Sequence, residues 1–258
     1  MDSGLIDEFV ADWIFSGKSS VTAETYRRCL IRLCLRFDEI DLTNVKSWLH
    51  DTHSVSMRRK QAQAVRAFGK WSERYGDGIW PWWSLIPLPS EPVTPQPTAS
   101  IDDYLSAMAQ LKTLRDRAVV SILWGCGLRR SEVANLKRGD LNLAEGLAVI
   151  RQTKTGRPRV VPVPPPTVRL LRRLLQSHAC DSVFGMSTNA IRLMLERYQL
   201  KSSHAWRRGW AVESLRNGVS EASVRAAAGW RSGEMVSRYT NALAEELAAV
   251  EFSRTWRN

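Results

Sequence analysis

His204 and Arg207 stand three residues apart in the stretch SHAWRRGWAVESL, residues 203–215. On a helix that spacing puts an imidazole and a guanidinium on one face, where both can donate to a single phosphate. Other side chains have the types to complete such chemistry. Arg129, in WGCGLRRSEVANL, follows a glycine turn and opens a new run, and Glu132 three residues on can hold its fork. Lys154 sits at the tip of an expected hairpin in RQTKTGRPRVVPV. Trp230 follows Gly229 in AAAGWRSGEMVSRYTN, and Tyr239 lies near the end of that stretch. Metal-free phosphoryl transfer asks for cationic donors on the non-bridging oxygens, a side-chain nucleophile and a proton source for the leaving oxygen. The set contains all three. Each member also fits an ordinary structural role: a surface Arg–Glu pair, a solvated loop lysine, a core histidine or tryptophan, a packed tyrosine.

Other chemistries leave no trace in the sequence. It has no Walker-type glycine loop, no G-x-S-x-G, no H-E-x-x-H and no compact carboxylate set. No metal and no cofactor are therefore expected. The four cysteines, Cys29, Cys34, Cys126 and Cys180, form no C-x-x-C pair and have no zinc spacing. Their apolar neighbours suggest buried free thiols.

Charge points to a polyanion. The 258 residues carry 37 Lys+Arg against 26 Asp+Glu, a formal net charge of +11. Residues 1–80 are nearly balanced, 12 against 11, so the excess lies in the C-terminal two-thirds. That asymmetry favours nucleic acid over a merely solubilising surface. No apolar run approaches the roughly 20 residues of a membrane span, and no signal peptide opens the chain. A cytoplasmic, nucleoid-associated protein is expected, or one in the host cytoplasm if the source is viral.

The elements that must position these groups are mostly helical. Leu5, Phe9 and Trp13 recur at helical spacing, and Thr22 can cap a second helix striped by Tyr26, Leu30, Leu33 and Phe37. A short helix is expected around 45–49 and a fourth over 55–75. On the fourth, Met57, Ala64, Phe68, Trp71 and Tyr75 oppose a basic stripe of Arg59, Arg66, Lys70 and Arg74, a candidate DNA-binding face. Residues 79–99 are rich in Pro and Trp and read as a stiff linker, tied down by Trp80, Trp82 and Trp83 packing on a neighbour. Beyond it, Ser100 and Asp103 make a capping box. RAVVSILWGCG reads as a buried helix, and LAVIRQ and RPRVVPVP as strands of a small hairpin or three-stranded sheet. Helices are then expected over 167–176, 189–198, 203–216, 220–228, 234–241 and 243–250.

Taken in order, the motifs GLRRSEV, TKTGRPRVVPV, HAWR, GW and RYTN resemble the tyrosine recombinase family, also called the phage integrase family. Gaps of 3, 23 and 9 residues separate His204, Arg207, Trp230 and Tyr239, as the family pattern requires. The resemblance implies a mainly α fold with a small β-hairpin or sheet (α+β), arranged as a two-domain DNA clamp. Its parts would be a helical, SAM-like core-binding domain over 1–78, the linker over 79–99, and a catalytic domain over 100–258. It implies that Tyr239 attacks a DNA phosphodiester to form a 3′-phosphotyrosyl link. Arg129 and Arg207 would hold the phosphate, His204 and Trp230 would assist, and Lys154 would protonate the leaving 5′-oxygen. Glu132 would support Arg129.

The implied partner is double-stranded DNA with short inverted-repeat core sites. A protein monomeric in solution would form a homotetramer on two duplexes, through a four-way junction and with no membrane contact. A C-terminal helix striped by Leu243, Leu247 and Val250 would dock on the next protomer. Two departures stand out: Trp230 replaces the common histidine, and Arg208 replaces a second histidine after H-x-x-R, where it can contact DNA instead. Helices that begin almost at the N-terminus imply a small integrase or Xer-like member without an arm-binding domain. The expected role is integration or excision of a phage or mobile element. Xer-type dimer resolution, a type IB topoisomerase and a non-catalytic DNA-binding factor are the competing readings.

Overall fold

The computed structural model describes residues 3–74, 79–90, 96–151 and 157–230, with Gly233, Ser237 and Ala248 beyond them. The chain divides into two compact units, residues 1–94 and 95–258.

In the first unit, apolar residues at helical spacing build four helices around one core. These are α1 (Ser3–Phe15), α2 (Ser20–Arg36), α3 (Leu42–His50) and α4 (Val55–Arg74). Ile6 and Phe9 of α1, Leu30 and Leu33 of α2, Val45 of α3, and Val65 and Phe68 of α4 meet there, all at most 1% exposed. Phe9 and Phe68 pack edge to face with centroids 5.6 Å apart. The N-cap of α2 is Ser19, whose hydroxyl accepts from the Thr22 backbone N–H, so Thr22 is a first-turn residue and not the expected cap. Met57 also departs from the expected stripe and is exposed.

The Pro/Trp-rich stretch folds back on α4 over its first half. Trp80 and Ile86 are buried in the first unit's core, and residues Trp83–Leu85 form a 3-10 turn against α4. Gly69 permits this approach, because a Cβ there would lie 2.3 Å from the Cβ of Trp83.

The second unit is mainly α with one small sheet, as the sequence suggests. Helix α5 (Ile101–Gln110) starts at the Ser100–Asp103 capping box. Helix α6 (Leu114–Cys126) is buried through its middle, with Ala118, Val119, Val120, Ile122 and Leu123 fully enclosed. It stops at Gly127, whose φ of +59° is the left-handed cap that glycine adopts without strain. The short α7 (Arg130–Ala134) follows at once. Strands β1 (Leu141–Asn142), β2 (Leu147–Ile150) and β3 (Arg159–Pro162) form an antiparallel sheet in that order, with Val149 opposite Val160 and Ile150 opposite Arg159. Helix α8 (Pro165–Gln176) begins two residues earlier than the sequence suggests, since proline is tolerated in a first turn. Then come α9 (Thr188–Arg197), α10 (Ser203–Arg216) and α11 (Glu221–Ala228).

The cysteine expectation holds only in part. Cys29 and Cys126 are buried, and burial pushes the Cys126 thiol up to about 12. Cys34 is half-buried and Cys180 is exposed, because Cys180 falls in the turn after α8 and not on a packed face. Among the described residues, no helix is long and apolar enough to cross a membrane. The helices expected over 234–241 and 243–250, with Leu243, Leu247 and Val250, lie outside the described segments, as does Tyr75.

Candidate active site

Three turns of chain converge in the second unit: the α6–α7 turn, the first turn of α10 and the end of α11. Arg129 is the N-cap of α7 and Glu132 sits in its first turn. The Glu132 carboxylate is buried, its side chain 1% exposed. Its Oε1 accepts from the Arg129 Nη1 at 2.8 Å, and its Oε2 accepts from the Arg129 backbone N–H at 2.8 Å. A second arginine, Arg159 at the start of β3, closes on the same carboxylate with Nη1 at 2.9 Å and Nη2 at 2.8 Å. Burial alone would raise the Glu132 carboxyl. The Arg159 fork, the Arg129 backbone N–H and the Arg129 side chain outweigh it and hold the group below the usual carboxylate range.

Helix α10 covers 203–216, as the periodicity predicts, with Ser202 as its cap. Trp206 anchors it, fully buried and edge-on to Trp124 at 6.1 Å between centroids. Arg207, 5% exposed, donates from Nη1 to the Gly127 carbonyl at 2.5 Å and from Nη2 to the Ala228 carbonyl at 2.6 Å. It therefore ties α10 to the end of α6 and to the end of α11. Its guanidinium carbon lies 5.2 Å from the Trp230 ring centroid. Trp230 follows Gly229, the left-handed cap of α11 at φ +66°.

His204 stays solvent-exposed at the head of α10. Partial burial, then the positive charges of Arg208, Arg207, Arg130 and Arg129, push its imidazole below the ordinary value of 6.5. The same field attracts an anion to this spot. The fold thus brings together Arg129, Glu132, His204, Arg207 and Trp230 out of the sequence candidates. Lys154 and Tyr239 lie outside the described residues.

The basic candidates divide differently than their spacing suggests. Arg59 donates to the Pro89 carbonyl at 2.5 Å, and Arg66 donates to the carbonyls of Ile86 at 2.7 Å and Ser84 at 3.2 Å. Both hold the returning chain on α4. Lys70 and Arg74 are exposed and line, with Phe15, Lys18 and Trp71, a cleft of about 570 Å³. Arg208 donates through Nε and Nη2 to the Pro97 carbonyl, at 2.8 and 2.5 Å. It straps the segment before α5 to α10, and Ala99 N–H donates to the Ala205 carbonyl beside it.

Arg159 was not among the sequence candidates. The available signal was strand alternation: Arg159 and Val161 share one face of β3, and Val161 is buried. A charged residue on a buried face needs a buried partner.

Residues 99–246, more than half of the chain, match the family model described as the phage integrase family. The chain belongs to that family. Among relatives, it is 32% identical over 153 residues to the tyrosine recombinase XerA of Thermococcus kodakarensis, covering 53% of this chain and 54% of the relative. It is 28% identical over 242 residues to the tyrosine recombinase XerC of Rhodospirillum centenum, covering 82% and 70%. The chain thus spans about half the length of the first of these relatives. Its fold is similar to a lambda integrase in a tetramer bound to a Holliday junction. That similarity has a TM-score of 0.76 at 13% identity and covers 92% of this chain and 76% of the other. In this phage integrase family member, the second unit contains the whole of the matched region.

Proposed function

We propose that the chain is a site-specific DNA recombinase that cleaves and rejoins strands without metal or ATP. The clustering of Arg129, which a buried carboxylate holds, with His204 in its field and with Arg207 stacked on Trp230 carries this reading. The Tyr239 hydroxyl attacks the scissile phosphorus, the P–O5′ bond breaks, and a 3′-phosphotyrosyl link forms. Lys154 gives its proton to the leaving 5′-oxygen. Arg129 and Arg207 stabilise the charge that builds on the non-bridging oxygens, and the neutral imidazole of His204 accepts the phenol proton. A 5′-hydroxyl from a second duplex then displaces the tyrosine, so the bond energy is kept.

The partner is double-stranded DNA carrying short inverted-repeat core sites, held by a homotetramer of protomers that are monomeric when free. A tetramer is supported by the lambda integrase assembly named above, and a DNA partner by the net charge of +11. Lys70 and Arg74 are phosphate contacts on the first unit. The protein acts in the cytoplasm, at the nucleoid. Integration or excision of a phage or mobile element is the primary role. The XerA and XerC names of the relatives favour dimer resolution as the second reading.

The test is Tyr239→Phe on a nicked duplex that the protein itself selects from a randomised pool. Adduct should vanish while binding persists. Adduct that survives the substitution would identify another nucleophile and overturn the assignment. Relaxation of supercoiled DNA without paired sites would instead indicate a topoisomerase.

A further inference from the structure

The Glu132 carboxylate offers about four acceptor positions, and the structure fills them from two arginines. Arg129 supplies one guanidinium nitrogen and its backbone N–H. Arg159 supplies a parallel fork to both oxygens. The remaining nitrogen of Arg159, Nε, donates to the Ala227 carbonyl at 2.6 Å, in the last turn of α11. The Arg159 stem also lies against the turn before Trp230, since a Cβ on Gly229 would sit 3.1 Å from its Cδ. Its side chain is 9% exposed.

This arrangement has a consequence for Arg129. A buried carboxylate facing a single arginine would take both prongs of its fork, the preferred geometry for that pair. Because Arg159 already occupies both oxygens, Glu132 engages Arg129 through one prong among the described residues. The rest of that guanidinium, one-fifth exposed, is left for an anion. Meanwhile the Ala227 bond locks β3 to the helix end that leads into Trp230.

We infer that Arg159 is a positioning residue, which keeps Glu132 from capturing Arg129 and fixes the end of α11 beside it. The inference rests on the recombinase reading and concerns a side chain that never touches the phosphate.

Arg159→Gln and Arg159→Lys are compared with the unsubstituted full-length chain on a nicked duplex selected from a randomised pool. Single-turnover adduct formation is followed at saturating and subsaturating DNA. At saturation, Arg159→Gln should slow adduct formation on the order of 100-fold, the usual effect of losing one transition-state donor. Its affinity for the duplex should stay within about 3-fold. The lysine variant keeps the charge and the fold but has no fork, and it should be slowed about 10-fold. A duplex with an uncharged methylphosphonate at the mapped cleavage position needs less cationic help, and both variants should recover most of their loss on it. Equal losses on the two linkages, or a loss confined to affinity, would overturn the inference while the unsubstituted protein still cleaves. If Arg159→Gln fails to fold, the lysine variant alone decides by the same comparison. No adduct from the unsubstituted protein would overturn the recombinase reading and this inference with it.

Discussion

The guanidinium of Arg207 lies over the ring of Trp230 while its two terminal nitrogens hold the carbonyls of Gly127 and Ala228. One buried side chain thereby registers three elements against each other. Trp230 covers that cation on one side, and a cation over an aromatic face gains about 0.5–2 kcal/mol. Trp230→Ala should slow adduct formation on the order of 10-fold. Trp230→His keeps a ring and an N–H donor and should retain most of the rate. Equal activity in the alanine variant and the unsubstituted protein would remove Trp230 from the site.

Glu132→Gln leaves the half-buried Arg129 and Arg159 without their counter-charge. The expected cost is about 3–5 kcal/mol of unfolding free energy, read from urea denaturation at pH 7. The pH dependence follows from the lowered carboxyl of Glu132. Its contribution is fully present above the ordinary value of 4.5 and is lost as the pH falls through the lowered folded-state value. The stability gap between the two proteins should therefore shrink below about pH 4.5. A gap that stays constant down to pH 3 would contradict the ion-pair account.

His204 is pushed below 6.5, so the imidazole is neutral at pH 7 and can accept a proton. The native state binds fewer protons than the unfolded chain in that window, so acidification through it costs stability. The adduct rate should rise with pH through an acid limb below pH 6.5. Arg130→Gln removes one of the charges that depress the imidazole, and it should move that limb upward. A limb that does not move would show that Arg130 has no part in the shift.

Gly127→Ala combines two penalties. The φ of +59° suits glycine, and the new Cβ would lie 2.1 Å from Cε3 of Trp210. Left-handed strain together with overpacking should destabilise the second unit by roughly 3 kcal/mol. Thermal unfolding measures it. The Gly127 carbonyl also accepts from Arg207, so adduct formation should fall further than the loss of folded protein explains.

Local rules carried most of the fold. Apolar periodicity and the Ser202 cap delimit α10, and the reciprocal Ser100–Asp103 bonds start α5, because both signals act within one helical turn. Local rules were ambiguous at α2, where Ser19 and Thr22 are both capping types and only the path of the incoming chain selects Ser19. In the site, Arg129, His204 and Arg207 were legible from motif order. Arg159 lies within the quoted TKTGRPRVVPV motif but was given no role, since its partner Glu132 is 27 residues away and the motif says nothing of that pairing. The basic stripe of α4 misled for the same reason. Helical spacing places Arg59 and Arg66 on one face but is silent about the carbonyls of 84–89 that return to meet them.

Those two arginines alter the ionic-strength response expected of the first unit. Each basic side chain seated on a duplex phosphate expels condensed counterions and steepens the fall of log affinity with log salt by about 0.9. Four such seats on α4 would contribute a slope near −3.6, whereas Lys70 and Arg74 alone contribute about −1.8. A titration with potassium chloride should reveal the shallower figure as the share lost in a Lys70→Gln, Arg74→Gln double variant.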